Sequence, residues 1–167
     1  MSGEILKKTR RLIRLSDSRD PFKIAQAIGI EVFIKPLGNL KGMYTCIKRN
    51  RFIVLSDTLN EHMQRMVCAH ELGHDQLHRA LATNTFLREY RFTPMDAQPE
   101  REANAFAAEL LLPDDEVLDL ARESVSLEQA AKLLCTDKNL VALKIEMLRR
   151  KGYGVYAPEV RSDFLKF

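Results

Sequence analysis

The sequence predicts an α+β fold: a small, mostly antiparallel sheet packed on a long helix that carries an H-E-x-x-H segment, with a helical C-terminal part. Three patterns support it. Short runs rich in β-branched and aromatic residues cluster between positions 31 and 55. Apolar residues then recur at helical spacing from about Leu59 to His78, and four further helical segments follow Pro99.

In chain order, Ile5, Leu6, Thr9, Leu12, Ile13 and Leu15 mark an amphipathic N-terminal helix whose wet face carries Lys7, Lys8, Arg10 and Arg11. Asp20-Pro21 opens a second helix through Phe22, Ile24, Ala25 and Ile28, and Gly29 ends it. Glu31 to Lys35 reads as a strand. Met43 to Ile47 and Arg51 to Leu55 flank Lys48-Arg49-Asn50 as a hairpin. Asp57 or Thr58 is positioned to cap the long helix, with Met63, Met66, Val67, Leu77 and the histidines on its inward side. Ala80 to Gln98 mixes aromatics, arginines and prolines and reads as a surface excursion. Helices are then expected over Pro99 to Leu112, Asp114 to Arg122, Ser126 to Leu134 and Asp137 to Arg150, with Pro113 and Gly152 as stops. With no repeat or linker to divide it, the chain is expected to form one domain over 1–167. Its parts are N-terminal helices (1–30), sheet and core (31–113) and C-terminal helices (114–167).

Composition narrows the class. Hydrophobic residues make up 46% of the chain, enough for a real core. The excess of three Lys and Arg over Asp and Glu is scattered, which gives no nucleic-acid signal. Cys46, Cys68 and Cys135 are odd in number and form no C-x-x-C pair, so they read as free thiols in a reducing compartment. No apolar run approaches the ~20 residues of a membrane span, and Met1 to Arg14 lacks the apolar stretch of a secretory signal. A soluble, cytoplasmic protein is the expectation.

The chemistry is concentrated in His70-Glu71-Leu72-Gly73-His74. At ~100° per residue, His70 and His74 project only ~40° apart, one turn along the axis, so both imidazoles can reach one ion. Two neutral imidazoles supply half of a tetrahedral zinc set, and a third protein ligand is required. Glu71, on the flank of the same face, can take the proton of an attacking water and pass it to a leaving amine without being a ligand. A metzincin would continue with Gly and His where Leu77 and Ala80 stand, which excludes that class. His78 would lie ~12 Å along the axis from His70, too far to share the ion, and is expected to be a helix-terminal histidine or one that supports the site.

Glu100, Glu102 and Glu109 on the following helix are the remaining candidates for third ligand. If Ala103, Phe106, Ala107, Leu110 and Leu111 form the buried face, Glu100 projects from near its centre, while Glu102 and Glu109 fall at or beyond its edge. Glu102 stays as the alternative. Asn104, one turn after Glu100, can hydrogen-bond a ligating histidine.

These residues carry a resemblance. His70-Glu71-Leu72-Gly73-His74, followed by Glu100-x-x-Ala103-Asn104-x-Phe106-Ala107-Ala108-x-Leu110-Leu111-Leu112-Pro113, resembles the ImmA/IrrE family of gluzincin-like metallo-endopeptidases, with Leu112 in place of the usual Met. The segment from Asp20 to Ile30 is also similar, so the likeness spans about Asp20 to Pro113. It implies Zn2+ held by His70, His74 and Glu100, with Glu71 as the catalytic residue. It also implies a phage or mobile-element protein that cleaves a helix-turn-helix repressor encoded nearby. Family members with their own helix-turn-helix domain are longer, so a separate DNA-binding partner is expected. The rival reading is a non-catalytic zinc module that binds and regulates a repressor or toxin–antitoxin-type partner.

Three further expectations concern substrate and partners. Met43 to Ile47 or Arg51 to Leu55 could offer a free sheet edge to an extended peptide. Tyr153 and Tyr156 are candidates for steadying the oxyanion. Ser126 to Arg150 has the outline of a helix-turn-helix, but Asp137, Lys138, Asn139, Lys144 and Glu146 would give its second helix a mixed-charge face. Packing or repressor docking is therefore favoured over direct nucleic-acid binding.

Overall fold

Local chemistry sets most element boundaries in the computed structural model, which describes residues 2–83 and 98–155. Helix α1 spans Ser2–Ser16 and buries Ile5, Thr9 and Leu12, leaving its basic residues outside. Leu15, grouped with the apolar face by its spacing, is 60% exposed. Helix α2, Pro21–Ala27, starts where Asp20 Oδ1 accepts from Phe22 N at 2.9 Å and ends before Gly29 at φ 71°, the left-handed region that glycine enters without a Cβ penalty.

Strands β1 (Ile30–Lys35), β2 (Gly42–Ile47) and β3 (Asn50–Ser56) form one mixed sheet in the order β1-β3-β2. The hairpin is antiparallel, with Tyr44 opposite Ile53, and Lys48 and Arg49 at its tip both have positive φ, as a two-residue type I′ turn requires. β1 pairs in parallel with the other side of β3. The run Arg51 to Leu55 is thus central, which removes it as a candidate edge, and Met43 to Ile47 lies on one.

Helix α3, Glu61–Thr83, lies against the sheet and is interrupted at His78 (φ −129°, ψ 21°), the residue at which the apolar periodicity ran out. Its cap is Asn60, whose Oδ1 accepts from Met63 N at 2.9 Å, rather than Asp57 or Thr58. The helix is fastened to the sheet through buried Asp75. Tyr44 Oη donates to Asp75 Oδ1 at 2.7 Å, Arg51 pairs with Asp75 Oδ2 at 3.2 Å, and Arg79 reaches the same oxygen at 3.0 Å. Burial, followed by the hydrogen bond to Asp75, raises the Tyr44 pKa, so the phenol stays a donor. Arg51 also donates to the Ile28 carbonyl, tying the end of α2 to the same network.

The second half is helical: α4 (Gln98–Leu111), α5 (Asp114–Arg122), α6 (Leu127–Leu133) and α7 (Lys138–Arg150). Ser126 and Gln129 form a capping box on α6, and Asp137 caps α7. The predicted excursion from Ala80 to Gln98 falls largely outside the described residues. Among these, no helix is long and apolar enough to cross a membrane.

Helix α7 packs its apolar side inward and takes Lys144 with it. That ammonium is 0% exposed, 2.7 Å from Glu109 Oε2 and 2.5 Å from Asp114 Oδ1, and Lys151 contacts both carboxylates. Lys144 therefore belongs to the interior rather than to a face presented to DNA. Glu109, placed by periodicity at or beyond the edge of the buried stripe, is buried because it faces this lysine. Burial works against the Asp114 charge, but Lys144 and Lys151 outweigh it and lower its pKa from the ordinary 3.8. Lys144→Met should lower stability at pH 7 by about 2–3 kcal/mol in denaturant melts, because buried charge-assisted hydrogen bonds are lost. Since the folded pKa of Asp114 is depressed, its share is present in full above its ordinary pKa and is lost as pH falls through the lowered value. The difference between the two proteins should narrow over that acid window.

Candidate metal centre

Helices α3 and α4 cross in close contact, and glycine at position 73 makes this possible. A Cβ on Gly73 would stand 2.9 Å from Ala103 Cα and 3.2 Å from Phe106 Cβ. No relaxation of a flexible side chain could relieve the first of these, since it involves backbone. The approach brings the start of α4 over the His70–His74 turn.

Three buried side chains that could hold a metal converge there, two through Nε2 and one through both carboxylate oxygens. His70 Nε2 and His74 Nε2 are 3.1 Å apart, His70 Nε2 is 3.4 Å from Glu100 Oε2, and His74 Nε2 is 3.6 Å from Glu100 Oε1. Bonds of ~2.0–2.1 Å to a tetrahedral ion separate its ligand atoms by about 3.3–3.4 Å, which these spacings bracket. Among the described residues, His70, His74 and Glu100 are the group able to hold a metal ion in this way.

Hydrogen placement supports the same use. Asn104 Oδ1 lies 2.8 Å from His70 Nδ1, so that nitrogen carries the hydrogen and Nε2 offers a lone pair. A neutral His70 therefore aims an electron pair at the carboxylate of Glu100, an arrangement that a cation relieves. Burial disfavours a charged His70, but Glu100, Glu71 and Asn104 together outweigh it and raise its pKa. Burial pushes His74 down to about 4, with the neighbouring His70 and His78 reinforcing and Glu100 opposing. Burial also opposes the charge on Glu100, yet its contacts with both imidazoles hold the carboxyl below the usual range.

The other expected residues fall as follows. Glu71 is buried on α3 beside the head of β2, where a Cβ on Gly42 would lie 3.3 Å from its Oε1 and 2.4 Å from Val67 Cγ1. Glu102, the alternative ligand, instead directs Oε2 to His78 Nε2 at 2.8 Å. His78 Nδ1 is 3.3 Å from His74 Nδ1, so this histidine supports the cluster without joining it. Tyr153 lines a separate cavity with Thr9, Arg10, Glu109 and Asp114, near the far end of α4, and Tyr156 lies outside the described residues. Sequence reasoning overlooked Asp75 and the role of Gly73. The latter had a signal in the glycine inside a helix interior, where a packing reason is expected.

An H-E-x-x-H helix fixed to a small sheet and crossed by a helix that brings a third ligand defines the metallopeptidase class of folds. Comparison with known proteins agrees: residues 25–144 match the Peptidase_M78 family, described as the IrrE N-terminal-like domain, and the chain belongs to that peptidase family. It is 37% identical over 136 residues to "Uncharacterized immunity region protein 2" of Bacillus phage phi105, covering 81% of this chain and 85% of the relative. It is 26% identical over 162 residues to "Metallopeptidase ImmA" of Bacillus subtilis (strain 168), covering 95% and 94%.

Gly73→Ala should force the two helices apart. The expected result is a loss of about 1–3 kcal/mol in stability together with weaker metal binding, read by thermal melts and chelator competition.

Proposed function

We propose that the protein is a zinc-dependent endopeptidase whose substrate is a helix-turn-helix repressor encoded near its own gene on a phage or mobile element. The observation that carries this reading is the convergence of His70, His74 and Glu100 beside Glu71 and the head of an edge strand. Two imidazoles and one carboxylate are a donor set typical of catalytic zinc, which keeps a position open for substrate or water. When bound, zinc supplies a Lewis acid for the scissile carbonyl and makes a water acidic enough to lose its proton near neutral pH.

The chain's own groups divide the remaining work. Glu71 takes the proton of the attacking water as the C–O bond forms, then delivers it to the amide nitrogen as the C–N bond breaks. Asn104 keeps His70 in the tautomer that presents Nε2. The substrate strand lies along β2. Ser56 N donates to the Lys41 carbonyl at 2.9 Å, so residues 41, 43, 45 and 47 form the hydrogen-bonded pairs with β3. The backbone groups of Gly42, Tyr44 and Cys46 then face the edge that no strand covers among the described residues, and an extended peptide can pair with them. The name of the phi105 relative, which refers to an immunity region, supports a phage setting, and the name of the B. subtilis relative supports peptidase chemistry.

The deciding experiment compares wild type with Glu71→Gln for metal content and for cleavage of the neighbouring repressor. One equivalent of zinc in both, with cleavage slower by at least about 10²-fold in the variant, is the expected outcome. Zinc without any cleavage by wild type would favour the non-catalytic binding module. Ligand assignment is checked separately: Glu100→Gln should lose stoichiometric zinc, while Glu102→Gln keeps one equivalent at saturating metal. Cys46→Pro removes an outward N–H but no ladder hydrogen bond, and should raise KM several-fold with zinc content unchanged.

A further inference from the structure

We infer that His78 and Glu102 form a hydrogen-bond relay that fixes the tautomer and ring position of His74, making both positioning residues of the metal centre. The inference rests on the metal-site reading above and extends it to residues that do not touch the ion.

The argument follows the hydrogens. Glu102 is a carboxylate and only accepts, so His78 Nε2, 2.8 Å from Glu102 Oε2, carries a hydrogen. A neutral His78 ring then presents a lone pair at Nδ1, which lies 3.3 Å from His74 Nδ1. His74 can donate to that lone pair only with its hydrogen on Nδ1, and this leaves Nε2 as the lone pair aimed at His70 and Glu100. The chain of donors therefore runs one way, from His74 to His78 to Glu102. With the opposite polarity, a His78 lone pair would face the Glu102 carboxylate and a hydrogen would sit on His74 Nε2, where it would block the metal.

The rest of the geometry holds the relay in place. Gln98 Nε2 donates to Glu102 Oε1 at 2.8 Å, which orients the carboxylate. The His74 and His78 rings lie 5.4 Å apart at 55°, and His78 is buried. Helix α3 departs from regular geometry at His78 itself. Each ligating histidine thus has its own anchor on α4: Asn104 contacts His70 directly, and Glu102 acts on His74 through a second imidazole.

The test uses the full-length protein, titrated with zinc against a chromophoric chelator, with histidine ¹⁵N NMR of the loaded form. Wild type should show His74 and His78 in opposite tautomers, with an N–N scalar coupling between the two Nδ1 atoms. His78→Phe, which removes the acceptor, should weaken zinc binding by about 10–100-fold. His78→Asn, whose side-chain oxygen can occupy the Nδ1 position, should recover most of that loss. Far-UV circular dichroism of each variant identifies misfolding, and the wild-type NMR result stands independently of any variant. A folded His78→Phe that binds zinc as wild type does, or a loaded wild type with a hydrogen on His78 Nδ1, would overturn the relay while leaving the metal site intact. Wild type that binds no zinc would overturn the metal-site reading and the relay with it.

Discussion

The close crossing of α3 and α4 at Gly73 is the constraint on which the site depends. Two histidines one helical turn apart give only a pair of ligands, and the third must come from another element at a fixed distance. Because Gly73 has no side chain, the backbone of Ala103 can pack against it and carry Glu100 to within 3.4 Å of His70 and 3.6 Å of His74. A methyl group at this point would separate the helices by part of a bond length. Ligand geometry tolerates only about 0.2 Å, so packing and chemistry are set by the same contact.

Buried charges fix each of the two crossing helices to a further element. Asp75 ties α3 to β2 and β3 through Tyr44 and Arg51, directly after His74. Glu109 ties the far end of α4 to α7 through Lys144. Each group would be costly to bury alone, and each is satisfied by several partners. The three residues able to hold a metal therefore sit on elements held at more than one point, which is the condition for a site assembled with little reorganisation.

Helix α4 supplies more of the cluster than Glu100 alone. Within five residues it presents Glu100 to the cluster, Glu102 to His78 and Asn104 to His70. Glu100 and Asn104 share a face because they are one turn apart, while Glu102 stands at the edge and reaches the site through its longer side chain. This accounts for the second motif as a structural requirement. Small residues such as Ala103 and Ala107 let α4 come close, and polar residues on the approaching face serve the histidines. Of the C-terminal helices, α7 packs against this element and is joined to it by the buried Lys144–Glu109 pair.

Much of this was legible in the chain because it depends on local spacing. Helical periodicity placed His70, Glu71 and His74 on one helix, chose Glu100 over Glu102 and Glu109, and set Asn104 beside His70. Asp20-Pro21 marked the start of α2, and the expected spans of α6 and α7 began at the residues that cap them, whereas the cap of α3 fell on Asn60 instead of Asp57 or Thr58. Where element boundaries agree, they are decided by a residue and its neighbours within one turn. What depended on contacts distant in sequence was not legible. The parallel pairing of β1 with β3 leaves β2 as the edge strand of the hairpin, and no local pattern reports which side of a strand a third strand will take. Glu109 and Lys144, 35 residues apart, read separately as solvent-facing charges and are buried because they meet. Asp75 likewise acquires its role only when Tyr44 and Arg51 are brought to it. The sequence by itself determined which side chains a helix turn can aim together; the tertiary structure decided which of those faces meet, because that follows from how closely two backbones can approach.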